Sequence, residues 1–137
     1  MSPEVAFQKG LRLRLAGTPA VSGLVPATSM LDRNERPAPD PSIILGEMQS
    51  IDEGQSIARK LTRIYMDLHI WKKDRSTAGV KAIAGEVRTA VRAGRIVLEV
   101  GFHCVDCRIA SQRFLRDPGG EFCHGVVTID ALVEETA

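Results

Sequence analysis

Between Gly125 and Val133 the side chains alternate without a break: Val127, Ile129, Ala131 and Val133 fall on one side, and Thr128, Asp130 and, just beyond, Glu134 on the other. A period of two is that of a half-buried strand. This constrains the fold more than any other segment, because a strand is stable only with hydrogen-bonded neighbours and a covered apolar face. Upstream, Asp117-Pro118-Gly119-Gly120 supplies a chain reversal: Pro118 presets a negative φ and the glycines accept a positive one. The partner strand, Phe102 to Leu115, alternates less regularly. Val105, Cys107 and Ile109 share a face while Phe114 has the opposite parity, which predicts a bulge or twist before the turn. Val97 to Val133 thus reads as two long strands folded into a hairpin that projects beyond its own core.

The rest of the chain supplies layers for that hairpin. Ser2-Pro3-Glu4 is a helix start, with a hydroxyl cap, a proline at the first position and an acid near the positive end of the helix dipole. Phe7, Leu11 and Leu15 then recur every four residues, so a helix is predicted from Pro3 to Ala16, ended by Gly17-Thr18-Pro19. A short turn over Ala20 to Leu24 and a brief strand over Ser29 to Leu31 follow. Asp32 to Pro41, rich in proline and charge, reads as an exposed loop or contact arm. Ser42 to Met48 is a short apolar strand, and the polar segment Gln49 to Lys60 is expected to interrupt it. Leu61 to Trp71 alternates again, with Ile64, Met66, Leu68 and Ile70 opposed to Arg63, Tyr65, Asp67, His69 and Trp71. Ser76 or Thr77 caps a second helix whose apolar stripe is Val80, Ile83, Ala84, Val87 and Val91, closed by Gly94. Arg95 to Val100 is expected to begin the hairpin's first strand.

This pattern predicts a single α+β domain over residues 1–137: a mostly antiparallel sheet of about four to five strands, two helices on one face, and the long C-terminal hairpin. Lysine plus arginine number 18 against 17 acidic residues, so no overall field recruits nucleic acid or an anionic membrane, and any such contact is local. No apolar stretch approaches a membrane span, and no signal-peptide pattern opens the chain, which predicts synthesis in the cytoplasm. Three cysteines, an odd number, then predict reduced thiols rather than a disulfide framework.

The motif closest to chemistry is His103-Cys104-Val105-Asp106-Cys107 with Cys123-His124, which offers soft zinc ligands. In a regular strand, residues three apart face opposite sides, so Cys104 and Cys107 are not expected to converge. A turn at Pro118-Gly119 places Cys123 opposite Phe114, far from both. No metal site or cofactor is therefore expected. His103 and His124 adjoin cysteines only in sequence, no phosphate-binding glycine loop is present, and no catalytic set is identified. Arg59, Lys60 and Arg63 form a basic cluster that could touch phosphates without base specificity or simply be a solvated flank. Tyr65, His69 and Trp71 lie on the strand face away from the helices. They either cover the sheet edge or meet a partner chain.

Taken in order, four stretches resemble the tail-completion or tail-terminator proteins of long-tailed bacteriophages and gene transfer agents: PSIILGE, LHIWKKD, GVKAIAGEVRTAVRAG and SQRFLRDPGGEFCHGVVTIDALVEE. The resemblance spans nearly the whole chain and departs from the family pattern at Gln49 to Lys60 and at the cysteines. It implies a non-enzymatic virion protein of the particle neck or tail: a homo-hexameric ring at the head-proximal end of the tail tube that stops tube growth. Its implied partners are the tube protein, a neck or connector protein and the passing genome DNA, with no membrane. Under that reading Arg59, Lys60 and Arg63 are candidate lumen residues, and Tyr65, His69, Trp71, Arg116, Asp117 and Phe122 candidate subunit contacts. Alternatives are another head–tail connector subunit, stopper or adaptor, a generic cytoplasmic adaptor, and a metal-binding or redox module built on Cys104, Cys107 and Cys123.

Overall fold

The computed structural model describes residues 1–32, 39–54 and 57–136. Most of the predicted arm over Asp32 to Pro41, namely residues 33–38, lies outside them. Helix α1 (Pro3–Ala16) starts as the sequence dictates: the Ser2 hydroxyl accepts the Val5 N–H at 3.3 Å, and Gly17 closes the helix by donating to the Leu13 carbonyl. A one-turn helix α2 (Pro19–Ser22) and a single 3₁₀ turn lead into the two-residue strand β1 (Met30–Leu31). Strands β2 (Ser42–Asp52) and β3 (Leu61–Lys73) pair antiparallel, and helix α3 (Ala78–Arg92) follows. The Ser76 hydroxyl accepts the Ala78 N–H at 3.1 Å, while Thr77 makes no side-chain cap. Strands β4 (Phe102–Arg116) and β5 (Phe122–Glu135) form the C-terminal hairpin.

The sheet order is β1-β2-β3-β5-β4, antiparallel except for β1 beside β2. Ile64, Met66, Leu68 and Ile70 of β3 stand beside Ala131, Ile129, Val127 and Gly125 of β5, so both predicted alternations bury on one face. Phe7, Leu11 and Leu15 of α1 and Val80, Ile83, Ala84, Val87 and Val91 of α3 pack there. Gly10 marks a close approach of α1 to the segment before β4, because a Cβ there would sit 2.6 Å from the Leu98 side chain and 2.8 Å from the Val97 carbonyl. Arg14 donates to the carbonyls of Ala90, Gly94 and Arg95, satisfying groups that the end of α3 leaves open. Arg12 does the same for Ala27 and Met30.

Four expectations are corrected. Gln49 to Asp52 do not interrupt β2: they pair with Tyr65, Ile64, Arg63 and Thr62, because a strand continues wherever its backbone finds a partner, whatever its side chains. Arg95 to Val100 form no strand. The last pair of the hairpin is Phe102 with Glu135, so residues before Phe102 have no rung to join, and Gly101 turns the chain at φ +99°. Cys123 stands opposite Arg116 rather than Phe114, because the turn closes with the Asp117 N–H on the Phe122 carbonyl. Finally, Val105 does not share a face with Cys107 and Ile109. The register steps from Cys104 opposite Val133 to Asp106 opposite Leu132, leaving Val105 as the extra residue of a bulge and 42% exposed. A second shift between Ile109 and Ser111 is the bulge that the parity of Phe114 predicts, and it returns Phe114 to the face of Cys107 and Ile109. Since β5 is in register with β3 from Phe122 to Glu134, the hairpin is also the other half of the sheet, and only its tip projects past Lys73.

Candidate functional site

Among the described residues no helix covers the second face of the sheet. Arg63, Tyr65, Asp67, His69 and Trp71 of β3 stand on it beside Leu132, Asp130, Thr128, Val126 and His124 of β5. The polar half of each alternation thus meets the other, and the charges pair. Asp130, 4% exposed, accepts from Arg63 Nη1 at 2.7 Å and from Arg108 Nη2 at 3.0 Å, joining three strands. Arg63 also donates from Nε to Glu53 at 3.0 Å, and these two carboxylates raise its affinity for the proton further. The Thr128 hydroxyl donates to Asp67 at 2.6 Å.

At the other end of the face the chemistry is aromatic. Trp71 and His124 are cross-strand partners, stacked with centroids 3.9 Å apart and planes within 7°. His69 Nδ1 lies 2.8 Å from His124 Nε2, and His69 Nε2 lies 2.7 Å from a Glu47 carboxylate oxygen. With the His69 Nε2–H donating to Glu47, Nδ1 accepts from the His124 Nε2–H, so one tautomer of each ring satisfies both contacts. The bulge of β2 makes room for the ring: a Cβ on Gly46 would lie 2.5 Å from His69 Cδ2. A shallow hollow of about 470 Å³ opens here, bounded by Asp32, Ile44, Glu47, His69, Trp71 and His124.

Burial first, and then the charges of His69 and Arg113, hold His124 below the ordinary imidazole range, against Glu47 and Asp117. The His69 hydrogen bond likewise lowers the Glu47 carboxyl. Both folded-state values are depressed, so both groups contribute stability that is present above the unfolded values and lost as the pH falls through the folded ones. Unfolding by urea should therefore become easier as the pH falls below about 6.5, where an unfolded histidine gains its proton, and His124→Gln should flatten that part of the dependence; an unchanged slope in the variant would show that the imidazole is not its source.

Tyr65, His69 and Trp71 stand on this face as predicted, all half-buried, with His69 and Trp71 meeting around His124 and Tyr65 further along beside Asp130. Phe122, paired with Lys73, and the exposed Arg116 sit at the hairpin tip with Asp117. The basic cluster is divided: Arg63 is held by Glu53 and Asp130, Arg59 lies 3.8 Å from Asp52 with both side chains exposed, and Lys60 is exposed. Sequence reasoning placed Asp67 on this side of β3 and Thr128 and Asp130 on the polar side of β5 without matching them, and did not single out Glu47 or His124 as members of the face. The signal was there for β5, since His124, Thr128 and Asp130 share a parity.

The expectation that Cys104 and Cys107 point apart is corrected as well. With Val105 bulged, they oppose Val133 and Ala131 and share the buried face. Cys123 remains separate: it is eight residues from Ala131 along β5, roughly 27 Å at strand rise. The four-ligand set of sequence is thus not assembled. Glu47, Asp67 and His69 do gather, with donor atoms within 4.8 Å of one another, but Glu47 and Asp67 already accept from His69 and Thr128. No described helix is long and apolar enough to cross a membrane.

A two-layer α+β domain, with helices on one face of a five-stranded sheet and a polar and aromatic second face left open, is the class that the fold and this site define. The sequence matches the family described as tail completion protein gp17 over residues 9–134, and the chain belongs to that family. It is therefore a structural, tail-completion component. Among solved structures it is similar to a chain of the virion of a native gene transfer agent particle, at 19% identity, 96% coverage of each chain and a TM-score of 0.82. It is also similar to the gp17 protein of bacteriophage SPP1, at 20% identity over 93% of this chain and 88% of that one, with a TM-score of 0.61. At these identities the likeness is one of fold. No curated protein sequence matches it significantly.

Proposed function

We propose that this chain is a non-enzymatic tail terminator: a subunit of a homo-oligomeric ring, six-membered by analogy, that caps the head-proximal end of a tail tube and joins it to the neck. The observation that carries the reading is the family match over residues 9–134, to which the structure adds a means of assembly. The 15-residue strand β4 forms one edge of the sheet, and its outer backbone groups have no partner strand among the described residues. Such an edge is a template for pairing unless it is managed, and the two bulges, with Arg108 and Arg113, limit which surfaces can pair with it. A ring satisfies each edge in the next subunit and closes. Tyr65, His69, Trp71, Arg116, Asp117 and Phe122 are candidates for contact with the next subunit, the tube protein or the neck protein.

Genome DNA would pass through the lumen of such a ring without sequence-specific contact. Of the basic cluster, Arg59 and Lys60 are the members exposed enough to line it, and weak, salt-screened attraction would permit sliding. The test is tail length by negative-stain electron microscopy in particles made without this gene. Overlong, polydisperse tubes lacking heads are expected. Tails of normal length firmly joined to heads would overturn the reading, and tails of normal length detached from heads would move it to a stopper or adaptor.

A further inference from the structure

We propose that Cys104 and Cys107 form a redox-active dithiol, a modification site at which a hydroperoxide converts the pair to an intramolecular disulfide across the β4 bulge. The inference does not rest on the tail-terminator reading. Its basis is the register: Cys104 opposite Val133 and Cys107 opposite Ala131 are two rungs apart on one face, although three residues apart in sequence. Two rungs correspond to about 6.6–6.8 Å between Cα atoms, the upper end of the separation that a disulfide spans. The site is also accessible. A hollow of about 370 Å³ beside the pair is lined by both cysteines, Asp106, Val91, Arg92 and Arg95. Cys104 is 2% exposed and Cys107 half-buried, so a small oxidant has a way in where a protein thiol has little.

The two thiols are inequivalent. The neighbouring Cys107 thiol holds the Cys104 thiol below its ordinary range, with Arg95 assisting and burial and Asp106 opposing, while Cys104 and burial push Cys107 up; the Cys104 Sγ itself donates to the Asp106 carbonyl at 3.3 Å. The oxidation balances with Cys104 as the nucleophile and Cys107 as the resolving thiol, and the reverse order yields the same disulfide. The Cys104 thiolate attacks one oxygen of hydrogen peroxide, the O–O bond breaks, and the departing hydroxide takes a proton to become water, leaving a sulfenic acid on Cys104. The Cys107 sulfur then displaces hydroxide from the Cys104 sulfur. The S–S bond forms, the Cys107 proton leaves with the hydroxide as a second water, and the dithiol has lost two electrons and two protons to the peroxide. Cys123 has no thiol neighbour and donates toward the Asp74 and Ser76 carbonyls at 3.4 Å, which makes it the internal control.

The test uses the whole protein, reduced, treated with hydrogen peroxide, blocked with an alkylating reagent under denaturing conditions and digested with trypsin. Both cysteines fall in the single peptide spanning residues 96–108, and Cys123 falls in another. The expected result is that peptide 96–108 loses the mass of two hydrogens and takes up no alkyl group, that dithiothreitol restores both sites, and that Cys123 stays alkylated. In Cys107→Ser the two-hydrogen loss should vanish and Cys104 should carry added oxygen instead. Peptide 96–108 remaining doubly alkylated after peroxide, gaining oxygen without losing hydrogen in the unaltered chain, or joining the Cys123 peptide would each overturn the proposal.

Discussion

Arg63→Met is expected to lower stability by roughly 2–3 kcal/mol, read as a drop in the urea midpoint at unchanged slope. The substitution keeps most of the side-chain bulk and removes the one group that joins Glu53 to Asp130. Asp130 then retains only Arg108, whose side chain is 61% exposed, while its own carboxylate is 6% exposed. Removing one partner of a fully buried pair costs about 3–5 kcal/mol; the lower figure here reflects the quarter of Arg63 that water still reaches. Arg59→Met should leave stability unchanged within about 0.5 kcal/mol, since its contact with Asp52 is long and solvent-screened. Equal effects of the two substitutions would show that the Asp130 bridge contributes nothing. The contrast also governs any test of the lumen assignment. Charge reversal at Arg59 and Lys60 reads contact with DNA, whereas reversal at Arg63 reads the fold.

Phe7→Ala should cost more, about 3–5 kcal/mol, because the ring is fully buried where α1 meets the sheet and a void remains when it is removed. Leu13→Ala on the same helix should fall within about 0.5 kcal/mol, the leucine being 60% exposed. Chemical denaturation of both variants separates them. A Phe7 variant as stable as the Leu13 one would mean that α1 is not docked as described. The tryptophan on the open face offers a second readout, since Trp71 stacks on His124 across the sheet from Phe7 and its fluorescence should shift only when the sheet unfolds.

The parts of this fold that were legible in the sequence are those in which one element's periodicity decides the outcome. Phe7, Leu11 and Leu15 fixed α1 with its caps; Val80 to Val91 fixed α3; the alternations of β3 and β5 fixed which residues are buried. What escaped depends on relations between elements. Gln49 to Asp52 carry no apolar signal, and their strand exists because β3 offers backbone partners. β4 starts at Phe102 because that residue has the last rung on β5, a fact absent from residues 95–101 themselves. The convergence of Cys104 and Cys107 required knowing that the bulge falls at Val105. For the open face, parity alone placed Tyr65, His69 and Trp71 correctly. Their partners were set by the register of β5 against β3, two strands joined by no short turn, so Asp130 and His124 could be placed on a face without being matched to Arg63 and Trp71.

The position of β5 between β3 and β4 also bears on how the molecule folds. The hydroxyl of Thr128 meets the carboxylate of Asp67 across 61 residues of sequence, and every rung between β3 and β5 closes a comparably long loop. Neither the β2–β3 ribbon nor β4 can complete the sheet without β5, which supplies both missing partners at once. Formation of the helices is local and fast, whereas the central ladder must wait for this long-range encounter and sets the overall rate. Substitutions along β5 should accordingly slow folding as well as speed unfolding, and the sheet should open as one cooperative unit rather than strand by strand.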